Sequence, residues 1–277
     1  VVSQRPPANA TFLGSSICLG CHNGQVATSD MTGWKRSLHA LVYRKPDAPT
    51  ANQDLSQLPN HDLAMVYFKD SSVAPANTRD NTGAGDGYGL RISKSSFGAF
   101  PASYDLLLGF DGKYFVQFAV PGGGAVSMKY YVEFTFGGHG IYKERWVTRA
   151  ATDGSYAATA GGASSYYILP LQYDEKLQAG VEPFHPYNPA NWGPPAVAGG
   201  PAVRPAQKAS FDNNCAGCHF TGIGLTRDGT GNFKAKAAGD ANGVMDFDGN
   251  GTKDEMDIGC ESCHGPGSAH IAGGPNL

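Results

Sequence analysis

One pentapeptide pattern constrains this chain more than any other feature, and it occurs three times. The copies are Cys18-Leu19-Gly20-Cys21-His22, Cys215-Ala216-Gly217-Cys218-His219 and Cys260-Glu261-Ser262-Cys263-His264. A single copy is compatible with a disulfide loop, half a zinc site, a thiol redox centre or a haem attachment point. Three copies narrow the choice. All six cysteines lie in these repeats, so none is left over for a structural disulfide. A zinc site needs four ligands, commonly from two such pairs at a defined separation. Three pairs do not divide into four-ligand sites, and the first pair stands far from the other two. A thioredoxin-like pair needs a βαβ context and has no use for a trailing His. With only 8 His in 277 residues, a His behind every pair is a poor fit to chance.

Covalent haem chemistry explains the spacing. Two thiols add to the two vinyl groups of one macrocycle, and the two intervening residues give the chain its reach. The next imidazole then lies over the iron as proximal ligand. The sequence therefore predicts three covalent haem c groups, held by Cys18, Cys21 and His22, by Cys215, Cys218 and His219, and by Cys260, Cys263 and His264. Such haems are attached after export, which predicts a periplasmic or extracellular protein. The chain opens at Val1 without Met, as expected of a mature form whose leader has been removed.

Five histidines remain as candidate ligands for the second axial position: His39, His61, His139, His185 and His270. Met31, Met65, Met128, Met245 and Met256 are substitutes that would raise the potential. Trp34 and Leu38 are four apart, as are Lys35 and His39, which suits a helix that sets His39 beside an apolar stripe. That spacing alone leaves His39 open between a ligand and a surface histidine. His270 follows Gly265-Pro266-Gly267, a sharp turn that can aim it at a haem other than the one His264 holds. His139 sits between glycines that let backbone approach a flat macrocycle. It is the preferred third candidate. His61, four residues from Met65, and His185, in a stiff Pro-flanked segment, are its competitors.

The three blocks resemble a known group. Gly14-Ser15-Ser16-Ile17-Cys18, continuing through Trp34 and Ser37-Leu38-His39-Ala40, is similar to the opening of multihaem cytochromes c of the cytochrome c554 type. Phe211 to Gly222 resembles their middle motif. Gly259-Cys260-Glu261-Ser262-Cys263-His264-Gly265-Pro266-Gly267-Ser268-Ala269-His270 resembles their third. The resemblance implies that trailing histidines such as His39 and His270 are distal ligands of bis-His, low-potential haems. It also brings in cytochrome filaments built from small multihaem subunits, some of which borrow a distal His from a neighbouring copy.

Between the first and second motifs the pattern changes. Val126, Met128, Tyr130, Val132, Phe134 and Phe136 alternate with Ser127, Lys129, Tyr131, Glu133 and Thr135, which predicts a strand with one buried face. Asp111-Gly112, between Leu106–Phe110 and Lys113–Val120, predicts a two-residue hairpin. Ile141–Val147 and Tyr166–Tyr173 read as further strands, giving an antiparallel sheet of four to six. Residues 46–86 read as a long loop with at most one helix near His61–Phe68. Pro183–Pro205 reads as an extended, proline-rich connector.

A second metal is legible near the third motif. Asp246, Asp248 and Asn250 stand at positions 1, 3 and 5 of a twelve-residue loop. Gly251 follows at 6, Thr252 offers a carbonyl at 7, Asp254 stands at 9 and Asp257 at 12. This predicts one Ca²⁺. Asp257 replaces the usual Glu, which resembles dockerin-like loops. Calcium there would fix the entry to Cys260.

The expected fold class is mostly loop with mixed α and β: a haem-packed core, an antiparallel β insertion and few short helices. The expected segments are 1–86 with the first haem, 87–180 as the β domain, and 181–277 with the other two haems and the calcium loop. Net charge is −3 at pI about 6.2, so no nucleic-acid footprint is present, and no run of 18 apolar residues predicts a membrane span. The expected function is electron transfer with other redox proteins or copies of itself as partners. The rival is an oxidoreductase of nitrogen or sulfur oxyanions with one open haem position.

Overall fold

A computed structural model of the chain describes residues 10, 13–24, 33, 43–44, 65–73, 76–138, 143–157, 164–174, 182–221, 225–235 and 258–273. It divides into two compact units. One comprises residues 1–41, 159–162 and 212–277, and the other residues 42–158 and 163–211. Its architecture is several antiparallel sheets, few short helices and much loop.

The larger unit is built from β1 (Tyr43–Arg44), β2 (Tyr88–Ile92), β3 (Asp105–Phe110), β4 (Tyr114–Ala119), β5 (Tyr130–Tyr131), β6 (Phe134–Phe136), β7 (Glu144–Ala150), β8 (Ser165–Tyr173) and β9 (Phe184–Pro186). They form two antiparallel sheets, ordered β2-β3-β4-β5 and β1-β6-β7-β8-β9. Both sheets feed one apolar core. Leu90, Ile92, Leu106, Leu108, Val116 and Phe118 come from the first, and Trp146, Leu169, Leu171 and Tyr173 from the second. Apolar burial of this kind contributes about 25 cal/mol per Å² removed from water.

The alternating run from Val126 to Phe136 divides between the two sheets instead of forming one strand. β5 pairs with β4, and β6 pairs with β7. The hand-over occurs at adjacent amides: Val132 N donates to Tyr114 O at 2.9 Å and Glu133 N donates to Val147 O at 2.8 Å. The period-two burial holds across the crossing at Tyr130, Val132 and Phe134 but not along the whole run, since Ser127 and Thr135 are buried while Val126, Met128 and Phe136 are half-buried. The predicted two-residue hairpin is a three-residue loop. Phe110 pairs with Tyr114, and Gly112 takes φ +101°, where a side chain would be strained.

The edge of β2 is closed by side chains. Asn81 donates to Arg91 O at 3.0 Å and accepts from Arg91 N at 2.6 Å, and Thr82 Oγ1 donates to Tyr88 O. Asn81 itself lies within a loop held by Asp70, whose carboxylate collects Ser72 N, Ser72 Oγ, Gly85 N and Gly87 N. These donors hold the Asp70 carboxyl well below the ordinary carboxylate range, Gly85 contributing most. Blunting an exposed edge in this way guards against pairing with other chains. A 3-10 turn at Met65–Phe68 supplies Phe68 to the core.

The proline-rich segment is anchored more firmly than an extended connector. Phe184 packs into the core from β9, which pairs with β8. Trp192 stacks on Phe118 at 5.6 Å and donates from Nε1 to Ile168 O at 3.0 Å. Gly193 and Val203 then exchange both backbone hydrogen bonds at 3.0 Å and close the segment into a loop.

The smaller unit holds short helices and one hairpin. Its described elements are α1 (Ser15–Cys21), a π-helical turn (Asp212–Ala216) running into α2 (Gly217–His219), β10 (Leu225–Arg227), β11 (Phe233–Ala235), α3 (Cys260–His264) and α4 (Ser268–Gly273). β10 and β11 pair across a turn in which the Asp228 carboxylate accepts Thr230 N, Thr230 Oγ1 and Asn232 N. Sequence reasoning does not find this hairpin. Among the described residues no helix is long and apolar enough to cross a membrane.

Candidate functional site

All three Cys-x-x-Cys-His repeats lie in the smaller unit, and each begins on a helical turn. Cys18 and Cys21 belong to α1, and Cys260 and Cys263 to α3. Cys215 ends the π-helical stretch just before α2, which carries Cys218. On a helix, residues three apart share a face, so each thiol pair is presented together. The first cysteine of every pair is half-buried and the second exposed. The six form no disulfide. Among the described residues no three His, Cys, Asp or Glu side chains gather to hold a metal ion.

The helix boundaries have visible causes. Gly14, at φ +86°, turns the chain into α1, and His22 N closes that helix on Cys18 O at 2.9 Å. Gly265, at φ +79°, ends α3 with its N–H on Glu261 O at 2.9 Å. Phe220 N caps the second motif on Ala216 O at 3.0 Å. Burial pushes the His219 imidazole below its ordinary pKa, which favours the neutral, ligating form.

A polar clamp joins the motifs. The Glu261 carboxylate, 3% exposed, accepts Leu13 N at 3.0 and 2.9 Å, Gly14 N at 2.7 Å and Gly267 N at 2.6 Å. Ser15 Oγ accepts Cys260 N at 2.8 Å. Thr221 Oγ1 accepts Gly259 N at 2.7 Å and shares a hydrogen bond with Ser262 Oγ at 2.5 Å. The third motif therefore stands between the other two. Sequence reasoning passes over Ser15, Thr221 and Glu261 as functional residues. The available signal was a polar side chain placed inside or directly beside each motif.

His22 and His270 face each other with ring centres 6.3 Å apart and planes inclined by 27°. Two imidazoles on opposite sides of one ion, each with a bond of about 2 Å and a ring radius of roughly 1 Å, place their centres about 6 Å apart. The spacing would let His22 and His270 hold one haem iron with their ring nitrogens turned toward each other. Ile17, beside Cys18, and Ile271, beside His270, are large apolar side chains left 42% and 55% exposed.

His39, His61, His139, Met31, Met245 and Met256 lie outside the described residues, as does the calcium loop with Asp246, Asp248, Asn250, Thr252, Asp254 and Asp257. His185 lies on β9 opposite Gln172 in the larger unit. Met65 Sδ accepts Trp146 Nε1 at 3.2 Å, and Met128 Sδ accepts Tyr156 N at 3.0 Å. Both sulfurs are thereby engaged within the β core.

Residues 198–265 match the family described as cytochrome c554 and c-prime. The match supports a c-type cytochrome. It takes in the second and third motifs, whose paired thiols and trailing histidines are the attachment chemistry of covalent haem c in such a cytochrome, with electron transfer as its role. No curated protein and no solved structure matches the chain.

Proposed function

We propose that the chain is a triheme c-type cytochrome that relays electrons through bis-His haems outside the cytoplasm. The facing of His22 and His270 at 6.3 Å carries the reading. With a haem bound at Cys18 and Cys21, His22 and His270 would hold its iron, so the segment after the third motif would complete the first haem site. Haem supplies one-electron chemistry at the iron. The chain supplies fixed spacing, ligand choice and partial exclusion of water. The clamp through Glu261, Ser15 and Thr221 supports a close-set trio, since it leaves the three attachment helices little freedom to separate. His39 and His139 are the proposed distal ligands of the other two haems. The loop Asp246–Asp257 binds one Ca²⁺ and steadies the approach to Cys260. The partners are other redox proteins or further copies of this chain, the latter making a continuous relay in a filament. Electron paramagnetic resonance of the oxidised protein tests the ligation. Three low-spin ferric signals are expected, and a persistent high-spin signal would instead favour an oxidoreductase with an open iron.

A further inference from the structure

We propose that Glu261, although it belongs to the third motif, is the positioning residue of the first haem site. The inference rests on the reading that Cys18, Cys21 and His22 bind a haem whose distal ligand is His270. One buried carboxylate reaches both arms of that site. Its bonds to Leu13 N and Gly14 N hold the turn that starts α1, and α1 leads directly to Cys18, Cys21 and His22. Its bond to Gly267 N holds the turn that starts α4, and α4 presents His270. The proximal and distal imidazoles are separated by nearly the whole chain, yet their backbones hang from the same two oxygens.

The chemistry of the group is specific. A carboxylate is acceptor-only and has room for several N–H donors on its two oxygens. Here Oε1 takes Leu13 and Gly267, and Oε2 takes Leu13 and Gly14. A glutamine of the same shape keeps one acceptor oxygen and turns an NH₂ toward backbone donors on the other side. Whichever way the amide turns, either Gly14 N or Gly267 N then loses its acceptor. A shift of one arm alters how the two imidazoles face each other, which a ferric haem reports through its spin state and g-values.

The test compares the mature haem-loaded protein with its Glu261→Gln and Gly267→Ala variants. The second variant leaves the carboxylate in place but puts a Cβ 3.1 Å from Glu261 Oε1, the oxygen that takes Gly267 N and Leu13 N, so it presses on the clamp from the α4 side. Haem content is read by intact mass and ligation by electron paramagnetic resonance. The expected result is three haems in each variant, with one of three low-spin signals moved or converted to high spin, and the same signal in both. If Glu261→Gln does not yield folded protein, Gly267→Ala decides alone. Unaltered signals in a fully loaded Gly267→Ala variant, or in Glu261→Gln, overturn the role of Glu261 and leave the haem reading standing. A parent protein without haem at Cys18 and Cys21 overturns both.

Discussion

The hydroxyl of Ser15 accepts the amide of Cys260 at 2.8 Å, so residues at opposite ends of the chain meet at the start of two attachment helices. Ser15 is 1% exposed and Cys260 is half-buried. Ser15→Ala leaves the Cys260 N–H without this acceptor, and an unsatisfied buried donor costs about 1–3 kcal/mol. Thermal melting of the variant should fall accordingly. An unchanged melting curve would show that the contact does not hold the unit together.

His270→Ala removes the imidazole that faces His22. One haem of the three should become high-spin or bind an added ligand such as imidazole, while all three stay covalently attached. Haem content and electron paramagnetic resonance read the two outcomes separately. A variant that keeps every low-spin signal would assign the distal position to another residue.

Much of this was legible in the sequence, and the boundaries of legibility have physical causes. The Cys-x-x-Cys-His repeats are read directly because their chemistry is local: two thiols and an imidazole within one helical turn. β8 is found almost to the residue, since Tyr166–Tyr173 is a long apolar run and the structure has Ser165–Tyr173. The crossing at Val132–Glu133 is invisible to periodicity, because a period of two is preserved whichever sheet a strand joins. Trp192 sits in a stretch whose prolines read as connector, and only tertiary contact with Phe118 shows that it belongs to the core. Glu261 is hidden for the opposite reason. Its partners are backbone amides, two of them 247 and 248 residues away, which leave no trace in side-chain pattern.

Trp192→Ala should open a cavity beside Phe118 and strand Ile168 O, and comparable truncations cost about 3–5 kcal/mol. The loss should appear as a lower midpoint in denaturant for the β unit. A midpoint within error of the parent would mean that the proline-rich segment is only draped on the surface.

Alkaline pH should destabilise the same unit. Burial pushes the Tyr130 phenol up to about 12 from 10.0. Burial also raises Tyr104 and Tyr156, the latter helped by the Glu133 carboxylate. A raised native pKa means that the native state holds the proton longer than the unfolded chain. The stability is therefore complete below pH 10 and is lost as pH rises through about 12. Melting temperature against pH checks the sign. A flat profile across that window would contradict it.

Calcium removal probes the loop Asp246–Asp257. At a free concentration of about 100 times Kd, a bound ion adds roughly 2.7 kcal/mol of stability. A chelator should lower the melting temperature, and added calcium should restore it. No change, with no calcium in elemental analysis, would reduce the loop to a solvated acidic turn.

The most direct test of the account is the intact mass of the native protein together with its reduced visible spectrum. Three covalent haems predict a mass above that of the bare 29.0 kDa chain by three haem groups, with a sharp reduced α-band. A mass equal to the bare chain, or an excess of fewer than three haems, would contradict it.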